Sequence, residues 1–128
     1  MNENERYARG LQVRREVLGS AHVDCALQNR TPLTENFQEF ITRYAWGDIW
    51  SRPGLTRHSR SLITLAMMVA LNHEEEFKMH IRAALNNSVT PDEIREVLMH
   101  TAIYCGLPAA NNAFHWAQDT LTELSEQR

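Results

Sequence analysis

LNHEEEFKMHIRAALNNSVTPDEIREVLMHTAIYCGLP, residues 71–108, decides the fold. It reads as two helices in succession. The first, 73–85, opens on three glutamates and runs into a face of apolar and small residues; Asn86, Asn87 and Ser88 end it. The second opens with a complete start signal. Thr90 stands at the N-cap, Pro91 at the first helical position, and Glu93 where a capping box needs it. From there Ile94, Val97/Leu98, Thr101/Ala102 and Cys105 recur at steps of three and four, the period of one helix face. Gly106 closes this helix and Pro108 follows it.

Working outward, 57–72 predicts another helix, with Thr56 able to cap it. Leu62, Leu65/Ala66 and Val69 form one apolar face, and Ile63, Met67 and Ala70 a second. A helix apolar on most sides is central or faces another subunit. Toward the C-terminus, 109–124 predicts a last helix, with Ala113, Trp116/Ala117 and Leu121 inward. Toward the N-terminus, 4–18 predicts a first helix, with Gly19 just beyond its end. Phe37, Phe40/Ile41 and Tyr44 predict another over 35–45, with Thr34 as its N-cap. Residues 20–30 show no clear period. Residues 46–55, WGDIWSRPGL, read as a loop, because two glycines and a proline signal a specific turn. Its tryptophans need somewhere to bury large rings: a core, a pocket or another subunit. No segment shows the two-residue period of a strand. The expectation is an all-α bundle of about six helices.

At 128 residues the chain predicts a single domain, 1–128, large enough for a real core. Thirteen basic against sixteen acidic residues give a net charge of −3. With no concentrated basic face, non-specific nucleic-acid binding is not expected. Cys25 and Cys105 are isolated, which fits reduced thiols better than a disulfide framework. The charged N-terminus lacks the apolar core of a signal peptide, and the run 62–71 is too short to span a bilayer. A soluble, cytoplasmic protein without membrane association is expected.

Candidate chemistry concentrates in residues 73–80. Glu76 and His80 are four apart, so a helix places them on one face. A carboxylate beside an imidazole orients the ring and raises its pKa, which suits a proton donor near neutral pH. Spacing alone favours the other reading, a solvated acidic turn with a surface pair four residues apart. His73 and His80 lie two helical turns apart, about 10.5 Å of rise, too far to share an ion, and Glu76 with His80 supplies only two ligands. No metal site is expected. Arg57, His58 and Arg60 fall in the first turn of a helix, where cations oppose the macrodipole. They face an anion or they are solvated. Arg14 and Arg15 read as solvated helix charges, with anion binding open for one of them. His22 reads as structural, with a functional role open.

The segments VRREVLGSAHVD (13–24), WGDIWSRPGL (46–55), RHSRSLITLAMMVAL (57–71) and EFKMHIRAALNNSVTPDEIREVLMHTAIYCGLPAANNAF (76–114) together resemble the carboxymuconolactone decarboxylases of the alkylhydroperoxidase-like helical superfamily. The resemblance covers about residues 7–121. Peroxidase members carry CxxCxxxH on the corresponding helix. With the histidine laid on His80, the two cysteine positions fall on His73 and Glu76, and a helping glutamate falls on Ser61. No thiolate nucleophile is left there, so the resemblance implies acid–base chemistry instead.

It implies a small lactone dicarboxylate as substrate, which loses one carboxyl as CO2 in the protocatechuate branch of aromatic catabolism. The lactone accepts the electrons itself, so no cofactor is implied. Under the resemblance His80 donates the proton and Glu76 orients it. Arg57, His58 and Arg60 anchor carboxylates, Arg15 and His22 join them, and Trp46 and Trp50 wall the pocket. A homo-oligomer, a hexamer, is implied as well. The competing readings are a thiol-type hydroperoxidase of the same fold and a non-enzymatic helical assembly module.

Overall fold

The computed structural model describes residues 1–127, and among these every regular element is helical. The all-α expectation holds. About six helices become seven α-helices and one π-helical segment. The chain forms two compact units, residues 1–57 and 58–128.

The first unit begins with α1, Glu3–Leu18, whose N-cap Asn2 accepts from the Glu5 N–H at 2.8 Å. Gly19, at φ +92°, ends α1 and turns the chain at once into α2, Ser20–Gln28. The sequence showed no period there for a physical reason. The helix has nine residues and buries only Val23, too few points to trace a face.

After α3, Glu35–Phe40, the chain continues without a break as a π-helix, Ile41–Ile49. This corrects the loop expected from residue 46. The Trp50 N–H reaches back five residues to the Ala45 carbonyl at 2.9 Å, the wider repeat that defines π geometry. Gly47 acts here through its size rather than as a turn. A Cβ on it would lie 2.5 Å from the Arg6 carbonyl oxygen, and one on Gly10 would lie 1.8 Å from that of Thr42. The α1 and π backbones therefore touch where each carries a glycine. Thr34 does not cap α3 with its side chain; its hydroxyl accepts from the Thr31 N–H at 2.9 Å.

The second unit comprises α4 (Arg57–Leu71, whose first residue closes the first unit), α5 (Glu74–Asn86), α6 (Pro91–Tyr104) and α7 (Leu107–Glu126). The predicted capping box at Thr90 and Glu93 is present. Glu74–Glu76 occupy the first turn of α5, where the helix dipole favours carboxylates. Leu65, Val69, Phe77, Ile81, Ala84, Val89, Ile94, Leu98, Ala113 and Ala117 form the core. Alanines on α5 and α7 let these helices approach closely, and Phe77 packs against Trp116 with ring centroids 5.8 Å apart. Fully burying a side chain such as Phe77 or Leu65 contributes about 1.5–3 kcal/mol.

Candidate functional site

In the second unit α5 carries the central residue. Phe77, His80, Ile81 and Ala84 share its inward face, so helical register alone drives His80 into the interior, 8% exposed. Burying an imidazole costs free energy that an apolar residue would not. Glu76, one turn earlier, is exposed, and no hydrogen bond joins it to His80 among the described residues. His73 is the exposed N-cap residue of α5.

The start of α4 meets the start of α6. His58 Nε2 lies 3.0 and 2.9 Å from the two Glu93 carboxylate oxygens. Glu93 also accepts from the Thr90 N–H at 3.0 Å. The His58 contact, then the backbone bond, holds the Glu93 carboxyl below its usual range. His58 is thus tied to a helix cap, a role its position in the sequence did not reveal. The capping-box pattern located Glu93 but not this second partner.

Arg60 is half-buried on α4, and next to it Ser61 is fully buried. Ser61 Oγ accepts from Asn87 Nδ2 at 2.9 Å. Asn87 lies seven residues after His80, so this bond and the imidazole fall on one stripe of α5 and the turn after it. Sequence reasoning passed over Asn87 because an asparagine after a helix reads as a stop signal.

The first unit holds the other candidates. Arg57 donates to Glu16 Oε2 at 2.8 Å and pulls that carboxyl below its usual range. Arg15 pairs with Asp24 at 2.7 Å, half-exposed, and His22 is exposed on α2. Trp46 is buried on the π segment and stacks on half-buried Trp50, centroids 5.1 Å apart. Arg14 departs from the sequence expectation. It is buried, donates to Gln38 and Thr42 at 3.0 and 3.2 Å, and its pKa is lowered by desolvation. It fastens α1 to the α3–π segment.

Cys25 is an exposed thiol on α2 and Cys105 follows α6. Among the described residues no three His, Cys, Asp or Glu side chains are grouped to hold a metal. The fold and the site define an all-helical protein with a histidine buried on one helix.

Comparison with known proteins narrows this. The family model described as "Carboxymuconolactone decarboxylase family" matches residues 35–119, and the chain belongs to that family. It is 51% identical over 124 residues to a 4-carboxymuconolactone decarboxylase of Acinetobacter baylyi, covering 97% of this chain and 92% of the relative. It is 45% identical over 118 residues to the nitrosuccinic acid decarboxylase npaB of Metarhizium robertsii, covering 92% and 82%. A 4-carboxymuconolactone decarboxylase of Pseudomonas putida is 54% identical over 48 residues, 38% of this chain and all of that one.

Proposed function

We propose that this protein is a carboxy-lyase that converts 4-carboxymuconolactone to 3-oxoadipate enol-lactone and CO2, in the protocatechuate branch of aromatic catabolism. The observation that carries this is the 51% identity sustained over nearly the full length of both chains. The reaction needs no cofactor. The bond from the ring carbon to its carboxylate breaks, and the electron pair moves through the ring alkene onto the lactone carbonyl, giving a dienolate. A proton then returns to the carbon α to that carbonyl.

His80 is the donor in this reading. Its burial supports the assignment, since a shielded acid transfers its proton to the dienolate rather than exchanging it freely with water. Glu76 is its orienting partner. The bond between them is not made in the free protein, and catalytic hydrogen bonds often tighten only with substrate bound. Arg60 anchors a carboxylate, for which a guanidinium fork is suited. Arg57 and His58 keep the anchoring role implied by the resemblance, each already holding a protein carboxylate. Arg15, His22, Trp46 and Trp50 keep the substrate-contact roles implied in the same way.

We read the two units as parts of one domain, because the family match runs across residues 57 and 58. We also propose a homohexamer. Exposed Ile63 and Met67 on α4 and Ile103 and Tyr104 on α6 supply apolar surface for subunit contact. No described helix is long and apolar enough to cross a membrane, and we place the enzyme in the cytoplasm.

The 45% relative sets a second substrate to be assayed in parallel, nitrosuccinic acid. The test is CO2 release from each acid, with product identified by mass. Release from the lactone with formation of the enol-lactone supports the proposal. Release from nitrosuccinate alone would replace it, and release from neither would remove the enzymatic reading.

A further inference from the structure

In the first unit the continuous helix made by α3 and the π segment is inverted. Its polar side chains face inward. Gln38 and Thr42 accept hydrogen bonds from buried Arg14 of α1 at 3.0 and 3.2 Å, and Thr42 is fully buried. Its aromatic side chains face outward. Phe37 is 60% exposed and Phe40 58%, Leu33 in the turn before α3 is 89% exposed, and Tyr44 is exposed as well. Single apolar residues on a surface are ordinary. Four of them at steps of four, three and four make one stripe on one helix face, and an apolar patch of that kind marks an interaction site. Phe40 and Tyr44 pack with ring centroids 5.5 Å apart, and the Tyr44 hydroxyl donates to Glu3 Oε2 at 2.8 Å, which holds that end of the stripe in place.

The bordering charges are matched within the chain. Glu39 pairs with Arg43 at 3.5 Å, and Glu3 with Arg6 at 2.6 Å. An anionic lipid surface is met by an excess of basic residues, and a strongly charged partner by a patch of opposite sign. The stripe offers neither, whereas a second copy brings only the same balanced border. The stripe is also its own complement. Its spacing reads the same in both directions, so a two-fold axis between residues 38 and 39 sets Phe37 against Phe40 of the second copy and Leu33 against Tyr44. The facing aromatic rings are the side chains that gain most from such a contact.

We propose that Leu33, Phe37, Phe40 and Tyr44 form a two-fold interface with a second copy of this chain, α3 lying antiparallel to its counterpart. The contact uses none of the α4 and α6 residues assigned to the hexamer above. It requires only an even number of copies and rests on no catalytic assignment.

Sedimentation of the full chain at one fixed concentration reads the assembly, with the circular dichroism of each variant matched to the parent. Phe37→Glu and Phe40→Glu each set a carboxylate against an aromatic ring across the axis, and each should halve the parent's mass. Phe37→Lys combined with Phe40→Glu sets opposite charges face to face at both central contacts and should restore that mass. Because Phe40→Glu also removes the packing on Tyr44, Phe37→Glu is the deciding single variant. A dimeric parent should give monomers and a hexameric parent trimers, so failure of the hexamer count is separate from failure of this interface. A monomeric parent, or Phe37→Glu at the parent's mass, overturns the proposal and leaves the stripe to a different partner. Single variants that dissociate with no recovery in the double variant overturn the antiparallel pairing, and the proposal with it.

Discussion

Replacing Gly10 with alanine should separate α1 from the π segment. The added Cβ would stand 1.8 Å from the Thr42 carbonyl oxygen, about 1.6 Å short of the 3.4 Å at which ordinary contact begins. It would also lie 3.0 Å from the Gly47 nitrogen. Both obstacles are backbone, so no side chain can swing aside and the two elements must move apart. Overpacking of this kind costs about 1–3 kcal/mol, and more when backbone must move. Alanine returns about 1 kcal/mol through its higher helix propensity. With backbone as the obstacle on both sides the cost lies at the top of that range or beyond it, so a net loss of about 2 kcal/mol remains, which lowers Tm by about 6–10 °C in a chain of this size. Thermal melts followed by circular dichroism measure it, with tryptophan emission recorded alongside because Trp46 rides on the π segment. Gly54→Ala is the control. Its Cβ would meet nothing within 4 Å, so its Tm should stay within about 2 °C. A Gly10→Ala protein that melts at or above the parent would refute the reasoning.

Other expectations follow from the second unit and from the exposed apolar surface. Ser61→Ala strips the Asn87 amide of its acceptor and should cost about 1–2 kcal/mol in urea denaturation, with m unchanged. Glu93 titrates lower when folded than unfolded, so the stability it contributes is present above the unfolded value and lost as pH falls through the folded one. Urea midpoints should therefore drop on acidification below about pH 4.5, and Glu93→Gln should flatten that drop. Light scattering after size exclusion should show a hexamer for the parent and smaller species for Met67→Glu with Ile103→Glu; a monomeric parent removes the assembly reading. Arg60→Ala should raise KM for the lactone with less effect on kcat, and an unchanged KM takes Arg60 out of the site.

The second unit was legible because its signals are local. The capping box at Thr90, the positive-φ glycine at Gly106 and the inward stripe Ile94–Leu98–Thr101 each need only a few neighbouring residues to be recognised. The first unit was legible only in part. WGDI reads as a turn from composition, and only the α1 backbone pressing on Gly47 shows why a glycine belongs inside a π-helix. Arg14 reads as solvated for a similar reason. Its burial depends on Gln38 and Thr42, residues 24 and 28 positions away. Spacing alone favours a solvated turn around residue 80, and the resemblance is what singles out His80. Its burial agrees with that assignment, whereas His58 turned out to serve the α6 cap through a long-range contact that no spacing encodes.

The central claim is that His80 donates the proton that completes decarboxylation. The direct measurement is the decay of lactone ultraviolet absorbance with the parent, His80→Ala and Glu76→Gln, each confirmed folded by circular dichroism. Loss of a positioned acid lowers kcat by about 10²–10⁴-fold. His80→Ala should fall in that range, with Glu76→Gln reduced less. His80→Ala turnover within a few-fold of the parent contradicts the account.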